Sequence, residues 1–381
     1  MKKFILRLSY LILPLLILEL CITIIKDPGE IISNRYIKIK DVLLTNQNVR
    51  LYAMTSQWGE FQEAYVQERS RRHLPAFDVV TWGSSRSAEM GADLFPQATY
   101  YNCVIPGANV LSYVSMYELY KRNNYLPSTV IINIDPWTFY MRKEILAGGR
   151  TYSVRDKNQR FNSNMHLNDY LAPGLADLNH SAGVFPSKNS WNTILLRYVE
   201  LLSPSYFQSS LKVITKSPVA VTSENYIHGY FVLRKDGSYT MYAPDMEEIK
   251  KINDRALNFS KLARGNFYGD DCTEGESMEL FISLLDRLKE KQLRVILFIS
   301  PIHPSLYDAL EGHESNLVEQ KLKTLAKEKG MLLIGSYNPH RYKLEALVND
   351  PDFLDEYHIS HKAMKTIFAH HQDEILKYRH K

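Results

Sequence analysis

Cysteine is scarce in this chain, three among 381 residues, which excludes a scaffold stapled by disulfides. Glycine and proline number 17 and 16, with no internal repeat and no low-complexity tract, so collagenous and disordered classes fall away. A surplus of one charge is lacking too: 46 Lys plus Arg against 42 Asp plus Glu leave +4. That is too balanced for a chain that grips nucleic acid by its phosphates. No Gly-x-Gly-x-x-Gly turn and no Gly-Lys-Ser/Thr loop occurs, so nucleotide chemistry has no motif behind it. No cofactor is expected.

What remains is a globular composition, 45% apolar, 23% charged and 12% aromatic. At roughly 150 residues per domain the length gives two to three domains' worth of chain. Tyrosine stands out, 25 residues against 15 Phe. Tyr rings stack on sugars and sit at membrane surfaces, but filling a large core with the hydroxyl satisfied at its edge is the commoner use.

The amino terminus differs from the rest. Lys2, Lys3 and Arg7 precede an apolar run from Leu8 to Ile25, broken by Pro14 and Glu19 and about long enough to cross a hydrocarbon core. The cations before the run place the amino terminus inside and the bulk of the chain outside the cytoplasm. Lys26-Asp27-Pro28-Gly29 offers no small-x-small cleavage site, which favours an anchor over a removed signal peptide. Leu18, Glu19 and Leu20 before Cys21 are wrong for a lipobox. Glu19 within the run either docks on another membrane protein or sits protonated near an interface. Cys103 and Cys272 either pair or stay free.

The expected organisation is an anchor over residues 1–26, a helical approach segment over 27–75, an α/β domain over 76–144 and 271–381, and an insertion over 145–270. The α/β domain rests on short apolar runs, Phe77 to Trp82, Thr99 to Val104, Thr129 to Ile134, Arg294 to Ser300 and Met331 to Gly335, read as buried parallel strands. Between them Ser277 to Glu290 carries an apolar stripe, and Ser360 opens a last helix. In such sheets the site lies beyond the carboxyl ends of the strands. The insertion shows no sustained helical period, but Tyr230 to Leu233 and Ser238 to Tyr242 flank Arg234-Lys235-Asp236-Gly237, a hairpin signal.

The first strand runs into Gly83-Ser84-Ser85-Arg86, where glycine allows a tight turn and a serine follows at a helix amino terminus, whose N–H groups stabilise an oxyanion. Alone this is an ordinary loop. Near the other end stands Asp355-Glu356-Tyr357-His358. A carboxylate three residues before a histidine can orient one imidazole nitrogen while the other takes a serine proton. Asp355, His358 and His361 invite a zinc reading, but third and fourth ligands are not indicated, and adjacent His370 and His371 point apart; no metal site is expected. His303, after the fourth strand, reads as a lining residue.

Gly83-Ser84-Ser85, Gly107 after the second strand, Asn133-Ile134-Asp135-Pro136 and Asp355-x-x-His358 together resemble the SGNH (GDSL-type) hydrolase superfamily, over about residues 77–140 and 292–378. With the anchor and Gly-Ser-Ser in place of Gly-Asp-Ser, the chain is similar to the bacterial envelope branch that includes the DltD and alginate-acetylation relatives. The resemblance implies a three-layer α/β sandwich with a mainly parallel, flavodoxin-like sheet; the N-terminal transmembrane helix and the mixed insertion added to it are read from the residues, and the resemblance leaves the insertion unexplained. It implies Ser85 as nucleophile, His358 as general base and Asp355 as its orienting carboxylate, with the Ser85 and Gly107 N–H groups as oxyanion donors. The family's third block supplies an asparagine donor; here Asp135 stands at that place with Asn133 two residues earlier, a departure that sets an ionised carboxylate against an oxyanion. Arg86 either pairs with an anionic substrate group or makes an ordinary salt bridge. Trp137 and Tyr357 either form a sugar-stacking wall or pack on the sheet end.

The implied function is a membrane-anchored serine esterase or O-acyltransferase acting on cell-envelope or exported polysaccharide, outside a bacterial cytoplasmic membrane, with an acyl donor and a carbohydrate acceptor as partners. The alternative is a non-catalytic relative that binds carbohydrate or assists assembly beside a membrane-bound acyltransferase.

Overall fold

The computed structural model describes residues 2–26, 35–51, 58–139, 167–180, 219–225, 231–240, 275–309, 314–345 and 352–379, with a few isolated positions besides. In chain order the described elements begin with helices α1 (Lys2–Lys26) and α2 (Arg35–Leu44), strand β1 (Asn48–Leu51) and helix α3 (Trp58–Arg71). Strands β2 (Val79–Gly83) and β3 (Tyr100–Val104), helix α4 (Val110–Arg122), strand β4 (Thr129–Asn133) and helix α5 (Asn168–Asp177) follow. Then come β5 (Val219–Thr222), β6 (Phe231–Leu233), β7 (Tyr239–Thr240), α6 (Glu276–Glu290) and β8 (Arg294–Ile299). The chain closes with α7 (Pro304–Ala309), α8 (Glu314–Lys329), β9 (Leu332–Gly335), α9 (His361–His370) and α10 (Gln372–Arg379).

Five strands form one parallel sheet in the order β3-β2-β4-β8-β9. Each is apolar on both faces because helices cover both. Val80, Trp82, Tyr101, Val130, Ile132 and Leu297 belong to one core with residues of α4, α6 and α8. Their strand neighbours Val79, Tyr100, Ile131, Ile296 and Phe298 belong to the other, with Met364, Ile367 and Phe368 of α9. The protein is thus a mixed α/β structure with a parallel five-stranded sheet flanked by helices. The chain reverses direction across the sheet at β2, which lies between β3 and β4, so a crevice opens at the carboxyl ends of β2 and β4. Tyrosine fills much of the interior: Tyr101, Tyr113, Tyr117, Tyr120 and Tyr337 are fully buried, and the Tyr101 hydroxyl donates to Gln62 at 2.8 Å.

The five parallel strands fall where the apolar runs place them, trimmed at their ends. β2 starts at Val79 rather than Phe77, and Asp78 just before it accepts the Thr99 N–H with its carboxylate at 2.8 Å. The approach segment departs from expectation, since it is not helical throughout. β1 pairs antiparallel with β5 and β6 in a four-stranded sheet β5-β1-β6-β7, so the approach segment and the insertion share one sheet. Asn48-Val49-Arg50-Leu51 is too short a run to show its period, and its partners lie far along the chain. The insertion also holds α5, a helix masked in the sequence by Pro173 and Gly174 inside it.

The expected hairpin is present, with Leu233 opposite Tyr239 and the Gly237 N–H donating to the Arg234 carbonyl at 2.9 Å. It grips the segment after β2. The Asp236 carboxylate accepts from the Ala92 N–H at 2.7 Å, and the Tyr239 N–H donates to the Ala88 carbonyl at 2.9 Å. The Asp236 carbonyl accepts from the Asn102 N–H of edge strand β3 at 2.7 Å, and Arg234 pairs with Glu89 at 3.1 Å.

The run Leu8–Ile25 falls on α1, where Leu13, Leu15, Leu16, Ile17, Leu18, Ile24 and Ile25 are exposed. Among the described residues no helix is long and apolar enough to cross a membrane, so the expected span has no support from that criterion. Cys103 is buried and free, Cys21 exposed and free; burial pushes the Cys103 thiol up to about 12. Cys272 lies outside the described residues, and its pairing with it.

Candidate active site

β2 ends at Gly83, where the backbone passes so close to the next turn that an added Cβ would lie 2.1 Å from Ser87 Oγ and 3.0 Å from Asn133 Cβ. Only glycine fits there without movement. Ser84 is buried and caps the turn, its hydroxyl accepting from the Arg86 N–H at 3.1 Å. Ser85 to Ser87 then form a single 3-10 turn, not the longer helix expected, so no sustained helix dipole points at the site. The turn leaves Ser85, and not Ser84, partly exposed.

Across the crevice, Asp352 to Ser360 form a closed loop, with a bridge between Phe353 and Ile359 and the Leu354 N–H donating to the His358 carbonyl at 2.7 Å. Asp355 organises its interior, one carboxylate oxygen accepting from the N–H groups of Tyr357 and His358, each at 2.8 Å. Its other oxygen lies 2.6 Å from His358 Nδ1. The proton therefore sits on Nδ1, and Nε2 presents a lone pair to the Ser85 hydroxyl at 2.8 Å. Burial alone would raise the Asp355 carboxyl; the hydrogen bond and charge of His358 and the two N–H groups outweigh it and hold it below the ordinary carboxylate value. Ser85, His358 and Asp355 are brought together by the fold.

Gly107 stands exposed on the loop after β3 with φ +71. That loop is tied to the end of β2, because the Ile105 N–H donates to the Gly83 carbonyl at 2.9 Å. Neither the Ser85 nor the Gly107 N–H has an acceptor among the described residues, which leaves both able to meet a developing negative charge.

Asn133, Asp135 and Arg86 pack against one another, and of the two uses open to Arg86 the structure shows the salt bridge. All three are buried. The Asn133 amide donates to Asp135 at 2.7 Å, which occupies one of its two N–H groups. Asp135 also lies 3.4 Å from Arg86 Nη1, both side chains 0% exposed. Burial raises the Asp135 carboxyl above its ordinary value against the pull of Arg86, Ser84, Asn133 and His358. It stands beneath the site as half of an ion pair, which removes the concern that a bare carboxylate faces the oxyanion. Arg86 faces no solvent and so meets no substrate anion.

Two residues that support these groups, Thr138 and Tyr113, carry no signal in the sequence. Thr138 Oγ1 accepts from the Asp135 N–H at 2.8 Å, and the Tyr113 hydroxyl donates to the Asn133 carbonyl. Trp137 and Tyr357, both partly exposed, meet edge to face at 5.5 Å, forming an aromatic rim beside His358. His303 is buried with its ring against Phe353 at 5.2 Å, and burial pushes it down to about 4 despite Asp355 and Asp308. His361 turns from Asp355 and His358 to contact the Glu89 carbonyl at 2.7 Å and Asp93 at 2.9 Å. Among the described residues no group of three His, Cys, Asp or Glu could hold a metal ion.

No family model matches the chain, and no curated protein matches it.

Proposed function

We propose that the protein is an SGNH-like serine esterase or O-acyltransferase that works through an acyl-Ser85 intermediate on cell-envelope or exported polysaccharide. The observation that carries the reading is the hydrogen-bonded line from Ser85 Oγ to His358 Nε2, 2.8 Å, and from His358 Nδ1 to Asp355, 2.6 Å. In this reading His358 Nε2 takes the Ser85 proton as Oγ attacks the ester carbonyl. The tetrahedral oxyanion is met by the Ser85 and Gly107 N–H groups. Collapse breaks the bond to the leaving alcohol, which receives the proton from His358. An acceptor hydroxyl, of a sugar or of water, then gives its proton to His358 and attacks the acyl-Ser85 carbonyl, restoring the serine. The Trp137 and Tyr357 rim favours a sugar as acceptor, since sugar faces stack on aromatic rings.

The placement of the domain outside a bacterial cytoplasmic membrane is part of the same proposal. Its support is the basic start, Lys2, Lys3 and Arg7, followed by the apolar run, which lies within one continuous helix, α1. The partners proposed are an acyl donor, a carbohydrate acceptor and the membrane.

Incubation with p-nitrophenyl acetate followed by peptide mass spectrometry tests the activity. The expected result is an acetyl group on Ser85, absent in Ser85→Ala; a folded protein that never acquires it overturns the reading. The Asn133 amide, buried and bonded to Asp135, favours a second reading, a non-catalytic partner of a membrane acyltransferase. That reading expects Ser85→Ala and His358→Ala to support full polysaccharide modification in cells.

A further inference from the structure

Arg86 is a charge buried beside the candidate nucleophile, and its bonds reach the His358 loop and the ends of β4 and β8. Its Nε donates to the Tyr357 carbonyl at 3.0 Å, one residue from His358. Its Nη2 donates to the carbonyls of Ser300 and Pro301 at 2.5 and 2.8 Å, just beyond β8. Its Nη1 faces Asp135, just beyond β4, at 3.4 Å. The Trp137 and Tyr337 rings lie 5.7 and 6.0 Å from the guanidinium carbon. The residue itself belongs to the turn that carries Ser85.

Burying a charged pair is weak evidence for stability, because apolar residues of similar volume pack there at less desolvation cost. What a planar fork supplies is fixed directions in one plane, which neither a lysine nor an apolar chain reproduces. The Ser85 turn and the His358 loop approach from opposite ends of the chain, 273 residues apart, and this one group is bonded to the second while built into the first.

We propose that Arg86 is a positioning residue for acyl transfer, its guanidinium, held by Asp135, setting the separation between the Ser85 hydroxyl and His358. The proposal rests on the acyl-transfer reading of the site. Arg86 touches no substrate and acts through His358 alone.

The test is steady-state hydrolysis of p-nitrophenyl acetate by the full-length protein, comparing wild type, Ser85→Ala, His358→Ala, Arg86→Lys and the Arg86→Lys, His358→Ala double variant. Arg86→Lys is expected to lower kcat about 100-fold, the scale of a 1 Å misplacement, with KM unchanged. In the His358→Ala background the lysine is expected to cost nothing more, because groups that act as a unit are not additive. A purely structural role would lower both backgrounds alike. An unchanged kcat in Arg86→Lys, or losses that multiply in the double variant, overturns the proposal. Equal hydrolysis by wild type and Ser85→Ala overturns the acyl-transfer reading and this proposal with it. Where Arg86→Lys does not accumulate as folded protein, Asp135→Asn frees the same guanidinium, and the same loss of kcat, absent in the His358→Ala background, is expected of it; full activity in Asp135→Asn overturns the proposal.

Discussion

Asp355 holds His358 at two points: one carboxylate oxygen faces the ring Nδ1 at 2.6 Å, and the other accepts the backbone N–H of the same residue at 2.8 Å. Ring and backbone are fixed by one side chain, so the imidazole has little freedom of rotation or tautomer. Asp355→Asn keeps the size but offers an amide N–H to Nδ1, which moves the proton to Nε2, where it faces Ser85. A fall in kcat of about 10³- to 10⁴-fold is expected, with the fold retained by circular dichroism; an active asparagine variant contradicts the role given to the carboxylate.

Gly83 and Gly107 are expected to fail differently when changed to alanine. At Gly83 the new methyl carbon meets Ser87 Oγ at 2.1 Å, an overpacking that should cost about 1–3 kcal/mol and lower the melting temperature. At Gly107 the space is open but φ is +71, so the strain is about 1–2 kcal/mol and falls on a proposed oxyanion donor. Thermal melts and esterase assays on both variants separate the two: Gly107→Ala should lose kcat in excess of its loss of stability.

His303 makes stability depend on pH. Burial lowers its imidazole from 6.5 to about 4, so an unfolded chain takes up a proton near 6.5 that the folded one refuses until about 4. Across that window the unfolded state binds more protons and stability falls as pH falls. The contribution, on the order of 2 kcal/mol, is fully present above about pH 6.5 and lost progressively below it. Melting temperatures at about pH 7 and about pH 4.5 should differ by less in His303→Asn than in wild type; an equal difference in both removes His303 as the cause.

Trp137 is expected to act on the sugar and not on the acyl step. Trp137→Ala should raise the KM for an acetylated oligosaccharide about 10-fold, consistent with the loss of roughly 1.4 kcal/mol of aromatic contact, while hydrolysis of p-nitrophenyl acetate is unchanged. A variant equally slow on both substrates shows that the ring serves Arg86, over which it also lies, and not a sugar.

Much of the five-stranded sheet was legible because its strands are covered on both faces and read as unbroken apolar runs. Asp355 and His358 were legible because a three-residue spacing is local, whereas the turn at Ser85 reads as an ordinary loop until the resemblance joins it to them. Asn133, Asp135 and Arg86 were not. Their sequence neighbours give no sign that β2 and β4 end side by side, so an ion pair formed across the two strand ends, with Asn133 bonded to it, reads as three separate polar residues. β1 was hidden for a related reason, since Asn48 pairs opposite Thr222 and nothing near it in the chain demands a strand. Pro173 and Gly174 concealed α5 because local propensity was overridden by packing on α4.

The hairpin at Arg234–Gly237 does more than cover surface. β3 is an outer strand of the parallel sheet, and an uncovered outer strand is a template for joining another molecule edge to edge. Asp236 takes the Asn102 N–H from that edge while fastening the Ala92 N–H beside it. Excising 145–270 to obtain a smaller catalytic unit would therefore uncover a sticky border as well as loosen the leg behind Ser85. Such a truncation should elute as soluble aggregate on gel filtration, where the full chain does not.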